Sequence, residues 1–113
     1  MKNILIIAPG EREAKAIQRE FTEIYLKRFE DFLPAGPENF TMTIDIRESQ
    51  KQLDDKHYNV IIATPLAMHL VGIRRFQRAK KEGRLIIPAV WRGTIPLSKY
   101  LKLSPNEGLF IQY

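Results

Sequence analysis

The chain has 113 residues, of which 44% are hydrophobic and 27% charged, with a formal net charge of +5 and no cysteine. This composition is typical of one soluble globular domain, here residues 1–113, and it excludes a disordered chain, disulfides and cysteine nucleophiles. No apolar run approaches the roughly 20 residues of a membrane span, and the first run is too short for a signal peptide, so we expect a cytoplasmic protein without a membrane span.

The first predicted strand and the first predicted helix meet at a Pro-Gly turn. "NILIIA", residues 3–8, is a continuous run rich in β-branched residues and without polar alternation, as expected for a strand covered on both faces of a parallel sheet. From Glu11 to about Leu33, apolar residues recur every three or four positions, which predicts a helix that ends at "PAGPEN", residues 34–39. Its apolar face comprises Ala14, Ile17, Phe21, Ile24, Tyr25, Phe29 and Phe32.

Two more strands and a short helix are predicted in the middle of the chain. "FTMTIDI", residues 40–46, alternates apolar side chains with threonines and predicts a second, more exposed strand. Residues 47–56 are expected to form a short polar helix. "YNVIIAT", residues 58–64, is again an apolar run and predicts a buried third strand.

A second amphipathic helix is predicted over residues 66–82. Pro65 suits the first turn of this helix, and Gly83 follows as its stop. The spacing of its apolar residues predicts an inward stripe made of Leu66, Leu70, Ile73 and Phe76.

The last third of the chain carries weaker signals. "RLIIPAV", residues 84–90, is a predicted fourth strand, in which Pro88 favours an edge position or the end of the strand because proline cannot donate to a ladder. "IPLSKYLKL", residues 95–103, is compatible with a short helix. "GLFIQY", residues 108–113, is expected to be either a fifth strand or a packed tail.

The alternation of strands and helices predicts the fold class. We expect an α/β three-layer sandwich with four to five mostly parallel strands, right-handed crossovers and the flavodoxin-like strand order 2-1-3-4. In such a sheet, ligands bind outside the carboxyl ends of strands one and three. Those ends are "APGER" and "TPLAMH" in this sequence.

This layout resembles enzyme IIB of the bacterial sugar phosphotransferase system, in its lactose/cellobiose/chitobiose class. The resemblance rests on "KNILIIA" followed by a long helix and on "DDKHYNVIIATPLAMHLVGIRRFQRAKKEGRLIIPAV". It implies the IIB fold and, in that family, a phosphate carried on a cysteine at the end of the first strand. Ala8 occupies the equivalent position here, and the loop that follows, Pro9 to Arg12, contains no Ser, Thr, Cys or His. Because phosphoryl transfer needs a nucleophile, no catalytic residue is predicted, nor any cofactor or metal.

A rim at the carboxyl ends of the strands is the predicted place for a small anionic ligand. It combines a turn glycine, two arginines and three further side chains, namely Gly10, Arg12, Thr64, His69, Trp91 and Arg92. Four of the six have a plain structural alternative: a tight turn at Gly10, a helix cap at Thr64, first-turn packing for His69 and cover of the sheet edge by Trp91. Glu11 and Glu13 at the helix start would oppose an anion.

Positive charge is concentrated in the second half of the sequence. Residues 66–103 contain nine basic residues and one acidic residue. On the predicted helix over 66–82, Arg74, Arg78 and Lys81 would form one outward stripe, flanked by Arg75. Such a face could bind nucleic acid, another polyanion or an acidic protein partner. The structural alternative is an ordinary helix face exposed to solvent. No nucleic-acid-binding motif accompanies it.

The function predicted from these features is that of a non-catalytic relative of enzyme IIB. It would act by binding a partner protein, in sugar-linked regulation. Two alternatives stay open: a polyanion or nucleic-acid binder that uses the basic helix over 66–82, and a binder of a small anionic ligand at the rim.

Overall fold

A computed structural model describes residues 2–25, 38–91 and 110–113. Within these ranges the chain forms a five-stranded, all-parallel sheet in the order β2-β1-β3-β4-β5. The strands are β1 (Lys2–Ile7), β2 (Glu38–Thr43), β3 (Val60–Ala63), β4 (Leu85–Val90) and β5 (Ile111–Gln112). The described helices are α1 (Glu11–Glu20), α2 (Ile46–Asp54), α3 (Pro65–Val71) and α4 (Ile73–Lys81). The α/β class is therefore confirmed, and Ile111–Gln112, within the segment predicted to be a fifth strand or a packed tail, form a fifth strand.

Two hydrophobic cores lie on opposite faces of the sheet. Side chains of β1 alternate between them: Ile4 and Ile6 belong to the core that includes Ala14 and Ile17 of α1, whereas Leu5 and Ile7 belong to the other core. The second core takes its helical residues from α2, α3 and α4, namely Leu53, Ala67, Met68, Val71, Phe76 and Ala79. All six residues of β1 are buried, including the polar Lys2 and Asn3, and the burial of residues 4–7 on both faces is what their apolar run predicts.

The first helix begins where the sequence predicts. Gly10 is the residue before α1, in extended conformation, and Ala14, Ile17 and Phe21 are fully buried. A π-helical turn, Phe21–Tyr25, follows α1 directly. The rest of the predicted helix, through Leu33, lies outside the described residues, as does the predicted helix at 95–103.

The second strand ends earlier than predicted. Pairing with β1 stops at Thr43, and Ile44 and Ile46 are exposed. The cause is Asp45, whose carboxylate accepts a hydrogen bond from the backbone N–H of Glu48 at 3.0 Å and so starts α2 at Ile46. The prediction of a strand over 40–46 was wrong at its carboxyl end, because the helix cap outweighs the apolar alternation there.

The single helix predicted over 66–82 is two helices. Gly72 separates α3 from α4 with a φ of 123°, a conformation that glycine adopts far more readily than other residues. The predicted inward stripe was also wrong in its first half: Leu66 and Leu70 are 56% and 50% exposed. Since α3 begins at Pro65, Ala67, Met68 and Val71 face the sheet, and all three belong to the second core.

Pro88 lies within β4, which has neighbours on both sides. The backbone N–H of Leu85 donates to the carbonyl oxygen of Asn59, on the β3 side of the strand. Because successive residues of a strand point their backbone groups to opposite sides, the nitrogen of Pro88 faces the β5 side. Pairing with β5 begins only at Ala89. The missing N–H of Pro88 therefore costs no ladder hydrogen bond among the described strands.

Arg84 is a buried cation that ties three segments together. Its side chain is 8% exposed, and its Nε donates to the carbonyl oxygen of Tyr58 at 2.9 Å. Its Nη2 donates to the carbonyl oxygens of Leu53 at 2.8 Å and Asp55 at 3.1 Å. The end of α2, the loop before β3 and the start of β4 are thereby held by one guanidinium.

Candidate functional site

Large apolar side chains are exposed at one end of the sheet. In the part of the chain that the structure describes, six large apolar side chains are more than a third exposed. They lie near the end of β2 (Met42, Ile44), at the start of α2 (Ile46), on α3 (Leu66, Leu70) and just after β4 (Trp91). This is the carboxyl edge, where open α/β sheets bind their ligands. The exposed large apolar side chains of the described residues are therefore concentrated at this edge.

A pocket of about 520 Å³ opens beside α1 at the same edge. Its described walls are Arg12, Glu13 and Ala16 of α1, Trp91 after β4 and Tyr113 after β5. Two aromatic rings and an alanine make most of this lining apolar, and Trp91 is 60% exposed. We call this cavity, with these five residues, the edge pocket.

Glu13 and Tyr113 give the edge pocket its polar character. The Oε2 atom of Glu13 is buried and accepts no hydrogen bond in the described structure. Burial raises the pKa of the Tyr113 phenol, and the negative charge of Glu13 raises it further. Near neutral pH the phenol is therefore protonated and can donate a hydrogen bond.

The structure brings together two of the residues predicted for the rim. Arg12 and Trp91 both line the edge pocket, whereas Gly10, Thr64 and His69 are not among its described walls. His69 is exposed on α3. Arg92 lies outside the described residues.

Thr64 serves α3 as its cap. The side chain is 3% exposed, and its hydroxyl accepts a hydrogen bond from the backbone N–H of Ala67 at 3.2 Å. This is the structural alternative that the sequence offered for Thr64.

Replacing Thr64 tests that capping role. Thr64→Val keeps the shape but leaves the Ala67 N–H without its acceptor, so the free energy of unfolding should fall by about 1 kcal/mol. Thr64→Ser keeps the oxygen and should lose clearly less. Urea denaturation of the three proteins measures the difference, and equal stability of the valine and threonine forms would contradict the assignment.

Three residues of the edge pocket were missed by the sequence prediction: Glu13, Ala16 and Tyr113. Glu13 was noted only as an acid that opposes an anion, and Ala16 carries no chemical signal. Tyr113 could have been found from its place next to the fifth strand, because parallel strands end at one edge of the sheet.

The predicted basic face on residues 66–82 contains three exposed cations and one that is paired with an acid. Arg74, Arg78 and Lys81 of α4 are exposed. Arg75 instead forms an ion pair with Asp54 at the end of α2, so it contributes to the contact between helices. The use of these cations for binding stays a prediction.

The first turn contains no nucleophile at the position where the IIB resemblance would place one. Ala8 is 2% exposed and its side chain belongs to the core on the α1 side. Its backbone N–H donates to the Thr43 carbonyl oxygen at 3.2 Å. Nor do the described residues group three or more His, Asp or Glu side chains in a way that could hold a metal ion.

Comparisons with protein-family models, with curated proteins and with solved structures gave no match to this chain. The resemblance to enzyme IIB therefore stays a prediction from the sequence. Within the described ranges, none of the helices has both the length and the apolar character that crossing a membrane requires.

Proposed function

We propose that this chain is a non-catalytic α/β binding module that docks a partner protein on the carboxyl edge of its sheet. The observation that carries the proposal is the group of exposed apolar side chains Ile44, Ile46, Leu66 and Leu70, which we call the apolar edge. Their exposed fractions are 52%, 43%, 56% and 50%. Apolar groups left in water at one place on a monomer mark an interaction site.

The apolar edge is built from neighbouring elements. β2 and β3 flank β1, so their carboxyl ends are about 10 Å apart at the usual strand spacing. On the helical side, Gln50 of α2 donates its side-chain N–H to the carbonyl oxygen of Val71 in α3 at 3.0 Å. This hydrogen bond holds together the two helices that carry Ile46, Leu66 and Leu70.

The charge around the apolar edge indicates the chemistry of the partner. Residues 65–81 contain no acidic side chain, and Arg74, Arg78 and Lys81 of α4 are exposed. A partner with an apolar centre and acidic residues at its rim would bury the leucines and meet these cations. Ala8, in place of a nucleophile, supports binding without catalysis, and the IIB resemblance supports a role in sugar-linked regulation.

Charge reversal at the apolar edge tests the proposal. In Leu66→Glu/Leu70→Glu, two carboxylates replace the exposed leucines and would face an acidic rim, so partner affinity should fall at least about a hundredfold. Folding should persist, because both side chains are exposed, and the acid at position 66 lies in the first turn of α3, where a negative charge is favourable. The matched control is Thr22→Glu/Asn39→Glu, which adds the same charge at exposed positions near the amino end of the sheet.

The measurement combines cross-linking in cells with calorimetry. A protein captured by the wild type and by the control, but not by the leucine variant, would be purified and its Kd determined for all three forms. The proposal fails if the leucine variant binds as tightly as the control, or if a polyanion such as heparin competes fully with the captured protein. It also fails if sedimentation shows that a second copy of this chain occupies the apolar edge.

A further inference from the structure

We infer that the edge pocket is a separate binding site for a small, flat aromatic amine. The ring of this ligand would lie against Trp91 and Tyr113, and its positive charge would lie near the Glu13 carboxylate. This site is formed by α1 and the ends of β4 and β5, so it does not depend on the apolar edge.

The shape and lining of the edge pocket favour a flat, mostly apolar molecule. Its volume of about 520 Å³ lies within the range of small-molecule sites, roughly 300 to 1,000 Å³. Aromatic side chains prefer to stack on other rings, and Trp91 keeps 60% of its surface in water although it lines a cavity. A ring placed there would remove apolar surface of Trp91 and Tyr113 from water together.

Glu13 determines the polar group of the ligand. A buried carboxylate oxygen that accepts no hydrogen bond is uncommon in folded proteins and calls for a donor. Within the described residues this oxygen has no such donor, so the negative charge of Glu13 is incompletely compensated beside the cavity that the residue lines. A protonated amine or amidine in the cavity offsets this negative charge across a short distance, where little water lies between the two groups.

The same geometry disfavours the small anionic ligand that the sequence predicted at this rim. A carboxylate or phosphate would have to approach the Glu13 carboxylate. Arg12 is exposed to solvent, so its attraction for an anion is weakened by water and salt. Burial and the charge of Glu13 both raise the pKa of the Tyr113 phenol, so a further negative charge at this place is also unfavourable.

The test uses a single spectroscopic signal. Trp91 is the only tryptophan of the chain, so its indole N–H gives one side-chain resonance in a proton–nitrogen NMR spectrum. The probe is 2-aminobenzimidazole, a flat cation with adjacent N–H donors, and its anionic counterpart is benzimidazole-2-carboxylate. We expect the cation to shift the indole resonance saturably and to bind at least tenfold more tightly than the anion.

Two variants decide which residues are responsible. Glu13→Gln removes the charge and one acceptor, so the Kd of 2-aminobenzimidazole should rise about tenfold or more. Ala16→Leu fills the cavity without changing any charge and should abolish the shift. Glu23→Gln is the matched control, an exposed acid outside the edge pocket that should bind like the wild type.

The inference is overturned if neither probe shifts the indole resonance at millimolar concentration, or if the anion binds as tightly as the cation. It is equally overturned if Glu13→Gln and Glu23→Gln bind alike. Should Ala16→Leu fail to fold, the comparison of the two glutamine variants still gives the answer. Leu66→Glu/Leu70→Glu should leave the probe affinity unchanged, which separates this result from that of the proposed protein partner.

Discussion

Arg84→Ala should lower the free energy of unfolding by about 3 to 4 kcal/mol, since truncation leaves three buried or half-buried carbonyl oxygens without their donor. Those oxygens belong to Leu53, Asp55 and Tyr58, and the hydrogen bonds to them are 2.8 to 3.1 Å long. The guanidinium also lies at the carboxyl end of α2, where a positive charge is favourable. The loss should therefore exceed that of an ordinary surface substitution several times over.

Equilibrium denaturation in urea, followed by circular dichroism, measures this loss. Arg84→Lys keeps the charge but lacks the planar fork that reaches several oxygens at once, so an intermediate loss is expected. Arg74→Ala, on the exposed side of α4, is the matched control and should change stability by less than about 0.5 kcal/mol. A loss below about 1 kcal/mol for Arg84→Ala would show that water replaces the guanidinium.

Phe76→Ala should destabilise the protein by about 3 to 5 kcal/mol, the usual range for removing a buried phenylalanine. Phe76 is fully buried, and it is the large side chain that α4 contributes to the core opposite α1. The other buried residue of α4 is Ala79, and Ile73 is only partly buried. Because α4 has few other apolar contacts, this helix should be the first element to detach in the variant.

Hydrogen exchange resolved by residue tests that second expectation. Amide protons of α4 should lose protection in Phe76→Ala before those of β1 and β3 do. Gln77→Ala changes the exposed neighbour of Phe76 and serves as the control, with protection like that of the wild type. Uniform loss of protection across all helices would mean that α4 does not open separately.

The sheet could be predicted because its strands carry a strong local signal. β1, β3 and β4 carry apolar side chains on both faces. In a small α/β protein, a continuous apolar run of that length is typical of a buried parallel strand. Helix phase was less predictable. The leucines at 66 and 70 fit an inward stripe by spacing alone, but the cap at Thr64 and the break at Gly72 fix which side of α3 faces the sheet.

The edge pocket could be predicted only in part. Arg12 and Trp91 have side chains of types that bind ligands, and both follow the carboxyl ends of strands, where α/β sheets of this class bind their ligands. Glu13 and Tyr113 are a hundred positions apart in the sequence, and their proximity depends on where β5 pairs. Ala16 contributes to the edge pocket because its small side chain leaves space there, and a single sequence gives no sign that an alanine borders a cavity.

The shortness of β5 has a consequence for occupation of the edge pocket. Its two residues pair with Ala89 and Val90, and the Tyr113 N–H donates to the Val90 carbonyl oxygen at 3.1 Å. Tyr113 forms a wall only while this short strand is docked, so the intrinsic affinity of the pocket is scaled by the docked fraction. A molecule bound against Tyr113 stabilises the docked strand in turn, and closure of the sheet edge and ligand binding form one coupled equilibrium.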